Sequence, residues 1–248
     1  MKRGFLALLI LFPLWARAQE VAPLHLVGDV TEGAYDFTSH QWNWQGIGIL
    51  GAAGIGSYLM YKWVDPEIDH SAHSPSLGRT SRALTDIGTY APFIVPVGLF
   101  TAGLMFPKGD VHRRQLWMTT EQMVETLLLA GGTAFVLKYA VHRNRPNQAD
   151  HRSFPSLHAA AAFATAGVLA YQCPWYVGVP SLMVASAIGF SRVDLRDHFP
   201  SDVLAGAGIG LVVASAVHFY HRRFEQSGVS VTPIVTKDMY GLNIAVTR

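Results

Sequence analysis

The sequence predicts an all-α protein, a six-helix membrane bundle. Three observations carry this prediction. Half of the 248 residues are hydrophobic and only 15% are charged, against about 25% charged in ordinary soluble domains. Six apolar segments follow one another after residue 45, with lengths approaching the roughly 20 residues that cross a bilayer. None of the six shows the apolar–polar alternation of a strand.

The chain opens "MKRGFLALLILFPLWARAQE". Lys2 and Arg3 precede an apolar run, and Ala16-Arg17-Ala18 offers a small-x-small site, so residues 1–18 read as a secretory signal cleaved after Ala18. An uncleaved anchor is the alternative, because Pro13 and Arg17 make the end imperfect. Residues 19–45 form a polar segment ending in "HQWNWQG", whose Trp42 and Trp44 suit a membrane interface or ordinary packing. The helical domain is expected over 46–223, with apolar segments at Gly46–Val64, Ala91–Phe106, Leu116–Val141, Leu157–Tyr171, Trp175–Phe190 and Val203–Tyr220. Small residues, as in "GAGIG" at 206–210, let helix backbones approach closely. Glu121 and Glu125, four apart on one helix face, read as a face turned to the bundle interior or to water. The stretch 65–90, with "DHSAHSP", reads as a solvated loop. The tail 224–248 alternates apolar and polar residues around Lys237-Asp238 and Gly241, which predicts a short β-hairpin.

The totals also exclude. A net charge of +2 gives no case for nucleic acid. The single cysteine, Cys173, allows no internal disulfide and no cysteine-based metal site.

Three clusters place cations and histidines at the ends of apolar helices: "KYAVHRNRP" with Lys138 and Arg145, "FPSLH" with Ser156 and His158, and "SRVDLRDHFPSD" with Arg192, His198 and Asp202. Taken singly, each has an ordinary explanation. Lys138 and Arg145 complement a helix dipole, Ser156 caps a helix, and His198 with Asp202 makes a local helix-start pair. Together they suggest an anion site. Pro155 fits a first helical position, which would aim the amides of Ser156, Leu157 and His158 out of a positive helix end, ready for phosphate. A second helix starting at Pro200 would put His198 just before it and Asp202 in its first turn, placed to reach back and hold the imidazole N–H.

These residues resemble the type-2 phosphatidic acid phosphatase family, which includes lipid phosphatases, class A acid phosphatases and vanadium haloperoxidases. The family signature is Lys, six residues, Arg-Pro; then Pro-Ser-Gly-His; then Ser-Arg, five residues, His, three residues, Asp. Lys138 to Arg145-Pro146 and Ser191-Arg192 to His198 and Asp202 match completely. Pro155-Ser156-Leu157-His158 matches with leucine in place of glycine.

The resemblance implies a metal-independent phosphatase without cofactors. His198 would attack phosphorus to give a phosphohistidine, oriented by Asp202, and His158 would serve as general acid and then base. Lys138, Arg145, Ser156, Leu157 and Arg192 would hold the phosphate. One neutral and one protonated histidine are expected to coexist near neutrality. The implied substrate is a phosphorylated lipid in the bilayer: a phosphatidate-like lipid, a polyprenyl pyrophosphate or a lipid A phosphate. A soluble periplasmic acid phosphatase of the same fold and a silent membrane homologue are the alternatives. Likeness to bacterial lipid phosphatases implies the inner membrane, with the site facing the periplasm. Counting six full crossings from an exported segment 19–45 would instead put the motifs in the cytoplasm. Oligomeric state has no signal in the sequence.

Overall fold

The computed structural model describes residues 44–70, 77–107, 109–227, 229–235 and 240–246. The expected signal at 1–18, Trp42 and nearly all of the polar segment lie outside them. The described chain forms seven helices: α1 Trp44–Trp63, α2 Asp65–His70, α3 Gly78–Leu104, α4 Val111–Val141, α5 Leu157–Gln172, α6 Trp175–Asp194 and α7 Pro200–Ser227. Strands β1 Val229–Val235 and β2 Tyr240–Val246 follow and pair antiparallel, from Val229 opposite Val246 to Val235 opposite Tyr240.

Four of these helices, α3, α4, α6 and α7, are long and apolar enough to cross a membrane. Six such crossings were expected. α5 has only 16 residues, and α1 is diluted by five glycines.

The 65–90 stretch differs from its sequence reading. It is helical at both ends, because α3 begins at Gly78 rather than near Ala91. In its first turns Asp65 and Ser81 are buried, while Glu67, Arg79 and Arg82 are exposed. Ser81 Oγ donates to Asp194 at 2.6 Å, so the buried polar side chains mark bonding rather than a solvated loop.

α5 lies at the centre, packed against α3, α4, α6 and α7. Its interior face is alanine: Ala159, Ala160 and Ala164 are fully buried. The large apolar side chains point outward instead, among them Phe93, Ile94, Val136, Trp175 and Met183. Small residues inside and bulky ones outside suit a bilayer, where close backbone approach replaces the hydrophobic drive between helices. Glu125, on the inward face of α4, is buried and sits 2.7 Å from Nε2 of His221 on α7.

The backbones of α5 and α7 approach closely at the "GAGIG" stretch. A Cβ added at Gly210 would meet the Ala160 carbonyl oxygen at 2.4 Å and the Ala164 nitrogen at 2.7 Å, both backbone atoms that cannot swing away. Gly210→Ala should therefore destabilise by about 1–3 kcal/mol, the usual cost of overpacking. A thermal midpoint in detergent within 1 °C of the parent would reject this account of the glycine.

Candidate active site

The α5 N-terminus sits two residues later than the sequence suggests, with Leu157 rather than Pro155 at the first helical position. Ser156 is the N-cap and its hydroxyl accepts from the Ala159 amide at 3.4 Å. The Ser156 N–H is not free, as it donates to the Asp202 carbonyl at 3.0 Å. Pro155 thus precedes the cap, and the amides at the helix mouth are those of Leu157 and His158. Leu157 is half-buried at the first helical position.

His198 lies in the turn between α6 and α7. Arg196 closes that turn with φ 59°, a left-handed conformation that a non-glycine residue adopts only when its surroundings hold it. Its guanidinium donates to the Ile68 carbonyl at 3.3 Å. The amides of Asp197 and His198 both donate to the Arg192 carbonyl, at 3.0 and 3.2 Å. The chain folds back there and sends the His198 ring into the interior, where it is 2% exposed.

The partner of that ring is a correction to the sequence reading. Nδ1 of His198 meets the Ser153 carbonyl at 2.7 Å, whereas the nearest Asp202 oxygen is 3.9 Å away. A carbonyl only accepts, so Nδ1 carries the proton and Nε2 keeps its lone pair. Asp202 acts one step back. It accepts from the Ser153 hydroxyl, and it reaches back to the Phe199 amide at 3.0 Å in the manner of a capping box. It also takes the Arg143 guanidinium at 2.6 Å. The other arm of Arg143 binds Asp65, at the start of α2, at 2.7 Å, and its plane lies 4.2 Å over the Phe199 ring.

The three expected cations converge on the two histidines. Lys138 donates to the Arg152 carbonyl at 2.6 Å. Arg145 pairs with Asp150 at 2.7 Å. Arg192 pairs with Asp197 at 2.9 Å and donates to Thr85 at 3.2 Å. Its Nε is buried without a protein partner among the described residues. A donor buried in this way costs free energy until an acceptor reaches it. His158, in the first turn of α5, has Nε2 3.0 Å from the Thr89 hydroxyl of α3.

Both imidazoles are pushed down from the usual histidine range. Burial is the main cause for each. For His158 the charges of Arg192, Arg145 and Lys138 follow, bringing it to about 4. For His198 the same three cations add to burial, opposed by the Ser153 carbonyl. Both shifts favour the neutral ring, so a proton on either imidazole is favoured by an anion nearby.

Sequence reasoning missed Asp65, Thr85, Thr89, Arg143, Ser153 and Asp197. Arg143 was visible inside "KYAVHRNRP", two residues before Arg145. The two threonines are four apart, on one face of α3. Ser153 contributes a main-chain carbonyl, which leaves no trace in residue identity.

A family model described as the PAP2 superfamily matches residues 122–226. Over 126 residues the chain is 34% identical to the lipid A 1-phosphatase of Porphyromonas gingivalis, a match covering 49% of this chain and 26% of that protein. The chain thus spans about a quarter of that relative's length. Over 160 residues it is 27% identical to the decaprenylphosphoryl-5-phosphoribose phosphatase of Mycobacterium tuberculosis, covering 58% of this chain and 80% of that protein. Among solved structures, a transmembrane PAP2-type phosphatidylglycerolphosphate phosphatase from Bacillus subtilis shares the fold. It has a TM-score of 0.55 at 20% identity, covering 73% of this chain and 98% of that one. The stretch that resembles the PAP2 superfamily model, residues 122–226, holds all three motifs.

Proposed function

We propose that the protein is a membrane lipid phosphatase that hydrolyses a phosphomonoester or pyrophosphate of a lipid through a phosphohistidine. The observation that carries this reading is His198. It is a buried neutral imidazole, its Nδ1–H fixed by a carbonyl at 2.7 Å, set among Lys138, Arg145 and Arg192. That leaves Nε2 as a nucleophile beside three groups able to hold phosphoryl oxygens. The Nε2 lone pair attacks phosphorus while the bond to the leaving oxygen breaks and His158 gives that oxygen its proton. In the second step His158 takes a proton from water, the water oxygen bonds to phosphorus, and the N–P electrons return to His198. Ser156 and the Leu157 amide, at the positive end of α5, complete the phosphate cradle.

Arg192 contributes the unmatched Nε. Arg192→Ala should lower kcat by ~10²–10³, the usual cost of losing one oxyanion donor. Turnover at the parent rate would place the phosphate elsewhere.

The pH dependence follows from the depressed His158. A pKa of about 4 means that the protonated fraction of the free site falls as pH rises through that value. A bound phosphoryl group, being negative, raises it. The alkaline limb of kcat should therefore lie at higher pH than that of kcat/KM, after correction for the substrate's own ionisation near pH ~6. Coincident limbs would remove His158 from the acid role.

The substrate class is tested with purified protein and a phosphate-release panel of lipid monophosphates, lipid pyrophosphates and water-soluble esters. Preference for the soluble esters would favour a periplasmic acid phosphatase instead, a reading opposed by the outward aromatic and aliphatic side chains of α3, α4 and α6. For location we propose the bacterial inner membrane with the site facing the periplasm. Asp65, just after α1, reaches Arg143, so the C-terminal end of α1 lies on the site side. A single cysteine placed in loop 147–152 of a Cys173→Ser background should react with impermeant reagents in intact cells once the outer membrane is opened. A cysteine that reacts only after lysis would reverse the orientation.

A further inference from the structure

Next to the proposed nucleophile stands a carboxylate that the mechanism does not use. Asp197 sits in the tight turn before His198. Its side chain, one quarter exposed, lies 2.9 Å from Arg192 and 4.0 Å from Arg145. Asn147 donates to the same carboxylate at 3.0 Å, and the Asp197 amide is tied to the Arg192 carbonyl. The carboxylate is therefore fixed between the two arginines that the proposed function assigns to phosphoryl oxygens, on the open side of the site. Lys138, Arg145 and Arg192 carry three positive charges against the two negative charges of Asp150 and Asp197. A phosphoryl group binding there, at the unmatched Nε of Arg192, competes with Asp197 for the charge of that guanidinium and meets its negative charge.

We propose that Asp197 is a competing anion that sets how tightly this site holds phosphate. It occupies the arginine pair between turnovers, yields its contacts to the phosphoryl group of the substrate, and recovers them as inorganic phosphate leaves. A site of three unopposed cations would bind its product too well. The carboxylate lowers affinity for free phosphate more than for a lipid phosphate, whose tail and headgroup supply binding of their own. The inference rests on the assignment of Arg145 and Arg192 to phosphate, and it concerns affinity rather than the chemical step.

The test is the affinity of purified protein for inorganic phosphate and for orthovanadate, measured by calorimetry and by competitive inhibition. Asp197→Asn removes the charge and keeps an oxygen for Asn147. It should bind both anions on the order of tenfold more tightly, as expected for deleting a like charge at contact range. In steady-state kinetics KM and kcat should fall together, because product leaves more slowly. Unchanged or weaker anion binding by Asp197→Asn overturns the proposal. If that variant does not fold, Asp197→Ser decides by the same criterion. Calorimetry needs no turnover, so the two readings fail separately. Tighter phosphate binding in a chain inactive on every lipid phosphate would keep the competing anion and reject the phosphatase. Full activity with unchanged anion affinity would do the reverse.

Discussion

Replacing His198 with alanine should abolish phosphate release, with a loss of at least ~10⁴-fold in kcat, because the proposed nucleophile is removed. His198 is buried and, among the described residues, its ring makes one polar contact of hydrogen-bond length, to the Ser153 carbonyl. The truncation therefore leaves a cavity and an unpaired carbonyl but breaks no ion pair, and the protein should remain folded. The decisive readout is covalent. Labelled substrate quenched during turnover should leave an acid-labile, base-stable phosphate on the parent protein and none on His198→Ala. A variant that still forms the label, or that turns over at the parent rate, would end the nucleophile assignment.

Arg143→Ala is expected to act on stability first. Arg143 spans two buried carboxylates, Asp65 and Asp202, which are 3% and 0% exposed, and no other cation bonds either of them among the described residues. Removing one partner of a buried pair typically costs ~3–5 kcal/mol, since the remaining charge stays out of water. In a chain of this size that corresponds to a fall of roughly 6–20 °C in thermal midpoint. Activity should fall as well, because Asp202 holds Ser153, and Ser153 holds His198. Arg143→Lys keeps the charge but reaches only one carboxylate well, so it should recover part of the midpoint. A midpoint for Arg143→Ala within 1 °C of the parent would show that these carboxylates need no counter-ion.

The two residues differ in how visible they were beforehand. His198 stood out because its neighbours recur at fixed spacing: Arg192 six before it, Pro200 opening a helix two after it, and Asp202 in that helix's first turn. Such short-range order is written along the chain. Arg143 belongs to a contact with Asp65, 78 residues earlier, and no local pattern announces a pairing over that distance. The helices were legible for a related reason. The run Trp175–Phe190 keeps apolar character throughout, because its outer face is apolar and its inner face, with Gly178, Ala185 and Gly189, is mostly small. The start of α3 reads as loop in the sequence because Ser81, Thr85 and Thr89 are polar. Hydropathy cannot tell a side chain turned to water from one turned to a buried guanidinium. The role given to Asp202 shifted because proximity in sequence suggested contact with His198, while the turn carries the imidazole to a main-chain oxygen instead. Glu121 and Glu125 followed the ordinary reading, with Glu125 buried against His221.

The bond that sets the His198 tautomer ends on a peptide oxygen, and this makes it hard for mutation to reach. Any amino acid at position 153 brings the same carbonyl, so no single codon change deletes the acceptor. What substitution can alter is the aim of that oxygen, through the Ser153 hydroxyl and Asp202 behind it. Variation at 153 and 202 should therefore grade the reactivity of the imidazole rather than switch it off, giving this site a dial where a side-chain acceptor would have given it a switch.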